Sequence, residues 1–179
     1  VIENMRKQIL IGSGLFILCQ LVILFARLMP LRAGEIGQPG PDLAICLLFA
    51  WLLRRPDQLA AVGIAGVFLL EDILLLRPLG LWTAIVLLAS EYTRSREARW
   101  RDQPFMVEWL RVSIMIGVMM LGYRVLQLVF VLPVPSLTKI SLQYIQTVGF
   151  YPLVVLGSRW LFGLRRITAA DAEMMRHNR

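Results

Sequence analysis

Leu59-Ala-Ala-Val-Gly-Ile-Ala-Gly-Val-Phe-Leu-Leu-Glu71-Asp72-Ile-Leu-Leu-Leu76 is an apolar run interrupted by two adjacent carboxylates. A run of this length reads as a membrane-spanning helix. A charge at the middle of such a helix costs about 2.5–3.5 kcal/mol even on lenient insertion scales, so the acid pair should face protein or water and be answered by a cation. Adjacent helix positions point about 100° apart, which makes it rare for two such carboxylates to act on one atom.

The rest of the chain fits this reading. Hydrophobic residues make up 58% of 179 and charged residues 17%, with a mean hydropathy of +0.66; an ordinary soluble domain has neither balance. The net charge of +7 could suggest nucleic acid, but the basic residues sit in short clusters between apolar runs, as the positive-inside rule arranges them. Nucleic acid is not an expected partner.

Six apolar segments are expected to form an all-α polytopic membrane bundle, about 8–29, 42–53, 59–76, 79–92, 106–132 and 138–164. They make one domain over 1–179, with a cytoplasmic tail at 165–179. The first segment follows Arg6 and Lys7 as a secretory leader would, but it is too long for a leader's apolar region and reads as a retained span. The second follows Gly37-Gln-Pro39-Gly-Pro41 and reads either as a short crossing helix or as a re-entrant segment. Cys19 and Cys46 lie in apolar runs and read as small buried hydrophobes.

Six spans with the N-terminus inside put Arg6, Lys7, Arg54, Arg55, Arg94, Arg96, Arg99, Arg101, Arg165, Arg166, Arg176 and Arg179 in the cytoplasm. Only Arg27, Arg32, Arg77 and Lys139 fall outside. If the second segment does not cross and the N-terminus lies outside, Arg6 and Lys7 exchange sides with Arg27 and Arg32, so charge leaves the N-terminal orientation open. Both arrangements put the C-terminus in the cytoplasm. Trp51, Trp82, Trp100, Trp109 and Trp160 fall near expected interfaces, where amphipathic rings anchor. Thr168-Ala-Ala-Asp171 fits a capping box that opens a short helix in the tail.

Signs of catalysis are few. The sole histidine, His177, lies near the C-terminus, away from any serine or cysteine of the bundle, and there is no metal-binding or phosphate-cradling motif. Gly12-Ser13-Gly14 reads as a small-residue packing site. No catalytic residue, metal or cofactor is expected.

Depth along the helices suggests a partner for the acids. Counting inward from Arg77 at 1.5 Å per residue puts Glu71 and Asp72 roughly 8–9 Å deep, and counting back from Leu132 puts Arg124 about 12 Å below the same surface. Arg124 is therefore expected to pair with Glu71 or Asp72. Tyr123 and Gln127 lie at the same level, as do Gln143, Thr147 and Tyr151 on one stripe of the sixth segment. Together they form an expected buried polar cluster that is either interhelical glue or a ligand- or partner-binding surface. Glu91, Glu108, Arg111 and Arg159 form a second expected group near the cytoplasmic face, structural in role. The basic stretch Thr93–Arg101 is expected to be a loop that could touch anionic lipid along 94–101, or simply serve positive-inside anchoring.

Several strings resemble the rod shape-determining protein MreD in its alphaproteobacterial form. They are Pro41-Asp42-Leu43 with Cys46, Ala50-Trp51-Leu-Leu-Arg54-Arg55-Pro56-Asp57, and Phe68-Leu-Leu-Glu71-Asp72-Ile-Leu-Leu-Leu-Arg77-Pro78-Leu-Gly80-Leu81-Trp82. Phe105-Met-Val-Glu108-Trp109, Val131-Leu-Pro133-Val-Pro135-Ser136-Leu137 and Tyr151-Pro152-Leu-Val-Val are consistent with it. The resemblance implies a six-helix bacterial inner-membrane protein, similar in fold to the substrate-capture subunits of energy-coupling-factor transporters. It also implies a place in the cell-elongation complex with MreC, RodA and a class B penicillin-binding protein, and indirectly MreB, organising side-wall peptidoglycan synthesis without catalysing it. The alternative expectation is a small-molecule capture subunit. Capture subunits resemble one another in a small-xxx-small face on the first helix, whereas here Gly12 and Gly14 are followed at i+4 by Phe16 and Leu18, and the close-approach pattern is Ser113-xxx-Gly117 on the fifth.

Overall fold

A computed structural model of the chain describes residues 2–29, 40–100 and 104–162. It is all-helical: α1 (Ile2–Leu28), α2 (Leu43–Leu52), α3 (Ala61–Leu74), α4 (Leu81–Trp100), α5 (Phe105–Val129) and α6 (Leu137–Phe162), with a 3-10 turn at Pro56–Gln58. The capping box expected at Thr168–Asp171 lies outside the described residues, as does Arg32.

Among the described residues, three helical segments are long and apolar enough to cross a membrane: Ile9–Leu28, Phe105–Val129 and Leu137–Trp160. The other helices are shorter or more charged. With 10 and 14 residues, α2 and α3 are about 15 and 21 Å long, against a hydrocarbon core of about 30 Å. Helix α4 has 20 residues, but its second half is charged. The expected loop at Thr93–Arg101 is in fact helix as far as Trp100. Ala, Arg and Glu are good helix formers, no Gly or Pro interrupts before Pro104, and Glu91 pairs with Arg94 one turn on, at 3.1 Å.

Helix α2 is the centre of the molecule. Ala44 through Leu52 are all buried, as befits a helix that is apolar on every side. It packs chiefly on α6 and also touches α1 and α4, while α3 packs on α1 and α4, and α5 on α4 and α6. The Phe16 and Trp51 rings meet edge to face at 5.8 Å. Gln20 of α1 is buried and donates to the Ala44 carbonyl at 2.9 Å. Small residues let the chain close in where the sequence suggested: a side chain at Gly12 would overlap the Gln58 carboxamide, which itself accepts from the Trp51 indole at 3.0 Å. The Ser113-xxx-Gly117 face receives a ring: Tyr144 of α6 lies over Gly117 and donates to the Ser113 carbonyl at 3.2 Å.

Pro152 sits inside α6 and has no N–H to give to the Val148 carbonyl. The Trp109 indole of α5 donates to that carbonyl at 3.0 Å instead. One residue earlier, the Thr147 carbonyl accepts from the Cys46 thiol of α2 at 3.3 Å. The neighbouring helices thus supply donors around the proline, and the helix continues through it.

Helices α3 and α5 end alike. The N–H of Arg77 reaches back to the Asp72 carbonyl at 2.9 Å and that of Leu76 to Ile73 at 3.3 Å; in α5, Leu132 reaches Gln127 at 2.8 Å and Val131 reaches Leu128 at 3.2 Å. This is the Schellman pattern, which puts one residue in the left-handed region, usually glycine. Here those residues are Leu76 (φ 52°) and Val131 (φ 55°), 94% and 90% exposed. The left-handed conformation costs an L-residue about 1–2 kcal/mol, and glycine's extra chain entropy offsets about 0.5–1 kcal/mol of the relief. Leu76→Gly and Val131→Gly are therefore each expected to stabilise the protein by about 0.5–1 kcal/mol, since little packing is lost. Thermal unfolding in detergent checks this, and a lower melting point in both variants would show that the side chains make contacts that outweigh the strain.

Candidate functional site

At the end of the bundle where α1 finishes and α2 begins, Arg27 bridges two acids. Its Nη2 lies 2.7 Å from Asp42 Oδ1 and its Nη1 lies 2.6 Å from Glu71 Oε1. Arg77 adds a second cation 3.5 Å from the same Glu71 oxygen. The two carboxylate side chains are almost wholly buried, at 2% and 4% exposure, so the guanidinium keeps two charges in the interior from standing unanswered. Asp42 also caps α2, accepting from the Ile45 N–H at 3.3 Å. Its own N–H donates to the Thr147 hydroxyl at 2.9 Å, and that hydroxyl donates to the Gln143 carbonyl at 2.7 Å. One ionic chain therefore joins α1, α2 and α3 and is tied to α6.

Asp72 has a different task. Its Oδ2 accepts from the Gly80 N–H at 3.1 Å, the Thr83 N–H at 3.3 Å and the Thr83 hydroxyl at 2.8 Å. It reaches across the turn to hold donors at the start of α4, which an intrahelical ladder leaves unpaired. Gly80 takes φ 77° in that turn, a conformation glycine adopts without strain.

The expected pairing of Arg124 with the acids is corrected by this geometry. Arg124 Nη1 donates to the Pro135 carbonyl at 2.7 Å, and the cations on Glu71 are Arg27 and Arg77. Depth along an axis sets height only, and α3 packs on α1 and α4, which brings α1's arginine to the acid. Arg124, Tyr123, Gln127 and Gln143 do come together, around a cavity of about 300 Å³ that Asp42, Arg77 and Trp82 also line. The Arg77 guanidinium lies over the Trp82 ring at 5.7 Å, and Trp82 meets Tyr123 edge to face at 5.1 Å.

Tyr151 belongs elsewhere. Eight residues of helix carry it about 12 Å along α6 from Gln143, and its hydroxyl donates to Glu108 Oε1 at 2.7 Å. The same oxygen lies 3.3 Å from Arg54 Nη1, both side chains being almost fully buried. Arg54 Nη1 also donates to the Ala50 carbonyl at 2.8 Å. This second ionic centre joins α2, α5 and α6. The expected foursome of Glu91, Glu108, Arg111 and Arg159 is accordingly divided: Glu108 takes Arg54 from α2, Glu91 takes Arg94 within α4, and Arg159 is exposed near the end of α6. Arg111 lies half-buried beside a groove between α4 and α5 that Arg96 also lines.

Sequence reasoning treated Arg27 and Arg54 as flanking charges and gave Asp42 no role. A usable signal was present. Arg27 stands two residues before the end of its apolar run and Asp42 opens the next, so both share the level of Glu71 as well as Arg124 does. Searched against known protein families, characterised proteins and solved structures, the chain matches none.

Proposed function

We propose that this protein is a non-catalytic component of the bacterial cell-elongation complex, of the MreD type. In this reading it sits in the inner membrane as six spans with both termini cytoplasmic, alongside MreC, RodA and a class B penicillin-binding protein, and organises side-wall peptidoglycan synthesis. The observation that carries the reading is where the resembling strings meet. In the first ionic centre Arg27, which lies outside these strings, joins Asp42 of one to Glu71 of another, while Arg54, Glu108 and Tyr151, from three different strings, form the second directly. Strings far apart in sequence thus supply partners to one another, as expected if they are parts of one architecture. Both centres connect helices, a use of buried charge that suits a scaffold.

Depleting the protein in its native bacterium is expected to turn rods into round cells, and MreC is expected to co-purify with it. Normal cell shape with a defect in small-molecule uptake would overturn the proposal. That outcome would favour the second reading, a capture subunit of an energy-coupling-factor-type transporter, for which the polar cavity is the supporting observation. A small molecule tightly retained through purification would point the same way.

A further inference from the structure

The cavity beside the first ionic centre has a charge balance that its own carboxylates do not meet. Glu71 is answered by Arg27 and Arg77, Asp42 by Arg27, and Asp72 by the donors of the α3–α4 turn. Arg124 stands in the cavity wall with a backbone carbonyl, that of Pro135, as its partner. Among the described residues no carboxylate answers it. A guanidinium has five N–H donors in a planar fork, so most of its capacity and its full charge remain for something else.

Two further observations converge on the same place. Trp82, a wall residue only 4% exposed, has a buried indole N–H with no acceptor, and such a group in a native structure calls for an explanation. The two non-glycine residues with left-handed backbone among those described also meet here. Leu76 lines the cavity, and Val131 immediately precedes Leu132, which lines it too. Strained backbone of this kind gathers at ligand-binding sites.

We propose that this cavity binds a phosphate group. Arg124 donates to its oxygens, with the carboxamides of Gln127 and Gln143 beside it, and Tyr123 and Trp82 form the wall for the organic part. An anion suits a wall in which Asp42 is already met by Arg27 and Arg77 by Glu71 while Arg124 has no carboxylate, and a phosphate has more oxygens than a carboxylate with which to accept from several donors at once. The volume is that of about ten water molecules and lies at the lower end of small-ligand sites. The phosphate comes either from a soluble phosphate ester or from a phospholipid headgroup. The inference goes beyond the morphogenetic reading and does not depend on it, because it concerns binding by the purified chain.

The test uses the full chain in dodecyl maltoside micelles, which carry no phosphate. In one arm inorganic phosphate is titrated at ionic strength held constant with chloride; in the other the micelles are doped with phosphatidylglycerol. A saturable rise in melting temperature is expected in at least one arm. Response in the first arm identifies a soluble phosphate, and response in the second alone identifies a headgroup. Arg124→Gln is expected to weaken the half-saturating concentration about tenfold or more, the loss of one charge-assisted hydrogen bond, and Arg124→Lys to weaken it less. Gln143→Leu, on α6 and outside the Arg124–Pro135 contact, gives an independent reading and is expected to weaken binding as well. No saturable stabilisation in either arm, or half-saturation unchanged in both Arg124→Gln and Gln143→Leu, would overturn the proposal. An Arg124 that serves only to hold the Pro135 loop would lower the starting melting temperature in both the Gln and Lys variants and leave the phosphate response as it was.

Discussion

Arg27→Met is expected to destabilise the protein by about 3–5 kcal/mol, the cost of removing one partner from a buried ion pair. The reason is an asymmetry. With Arg27 in place, Asp42 and Glu71 are neutralised at 2.7 and 2.6 Å; without it both carboxylates stay buried, and among the described residues only Arg77 remains, 3.5 Å from one of them. Arg27→Lys should fall between, because a single ammonium cannot present the fork that meets two carboxylates at once. The triple variant Arg27→Met, Asp42→Asn, Glu71→Gln should recover most of the loss, since replacing an entire buried charge cluster is far milder than breaking it. Thermal unfolding in detergent measures all three. If Arg27→Met melted with the wild type, Arg27 would not be what offsets the burial of the two acids.

The second large effect is expected at the other ionic centre. Arg54→Met and Glu108→Leu should each cost about 3–5 kcal/mol, while the double variant should lie much closer to the wild type than the sum of the two. The side chains of Arg54 and Glu108 are 4% and 3% exposed, so each single change leaves a charge deep among α2, α5 and α6. Tyr151→Phe removes one hydrogen bond to a charged acceptor and should cost less, about 1.5–3 kcal/mol. A double-mutant cycle by thermal unfolding reads the coupling directly. Additive losses would show that the 3.3 Å contact contributes nothing of its own.

These two centres mark the limit of what could be read from the chain. The all-helical class, the positions of α1, α3 and α5 and the need for a cation opposite Glu71 were all legible, because apolar runs and the cost of a buried charge are local properties. The choice of Arg27 over Arg124 was not. Both arginines lie at a suitable height, and selecting between them requires knowing which helices are neighbours. Tyr151 shows the same limit along the axis: a shared stripe with Gln143 and Thr147 gives it the right face of α6, but its height brings it to Glu108. Charge density does not distinguish loop from helix in the basic stretch; helix propensity and the absence of Gly or Pro carry α4 to Trp100.

Helix α2 shows the division most clearly. Ten residues with no polar face read as a short crossing helix or as a re-entrant segment, and composition says nothing of what surrounds them, since lipid and protein interior are equally apolar. Burial of Ala44 through Leu52 among α1, α4 and α6 shows that α2 is the central helix, about 15 Å long. Residue chemistry alone determined that the chain forms apolar helices and that its few charges need partners, because hydrophobicity and desolvation act on each residue wherever it lies. Which charge meets which, and which helix sits in the middle, was decided only by packing, because those outcomes depend on the angles between helices and no single helix carries that information.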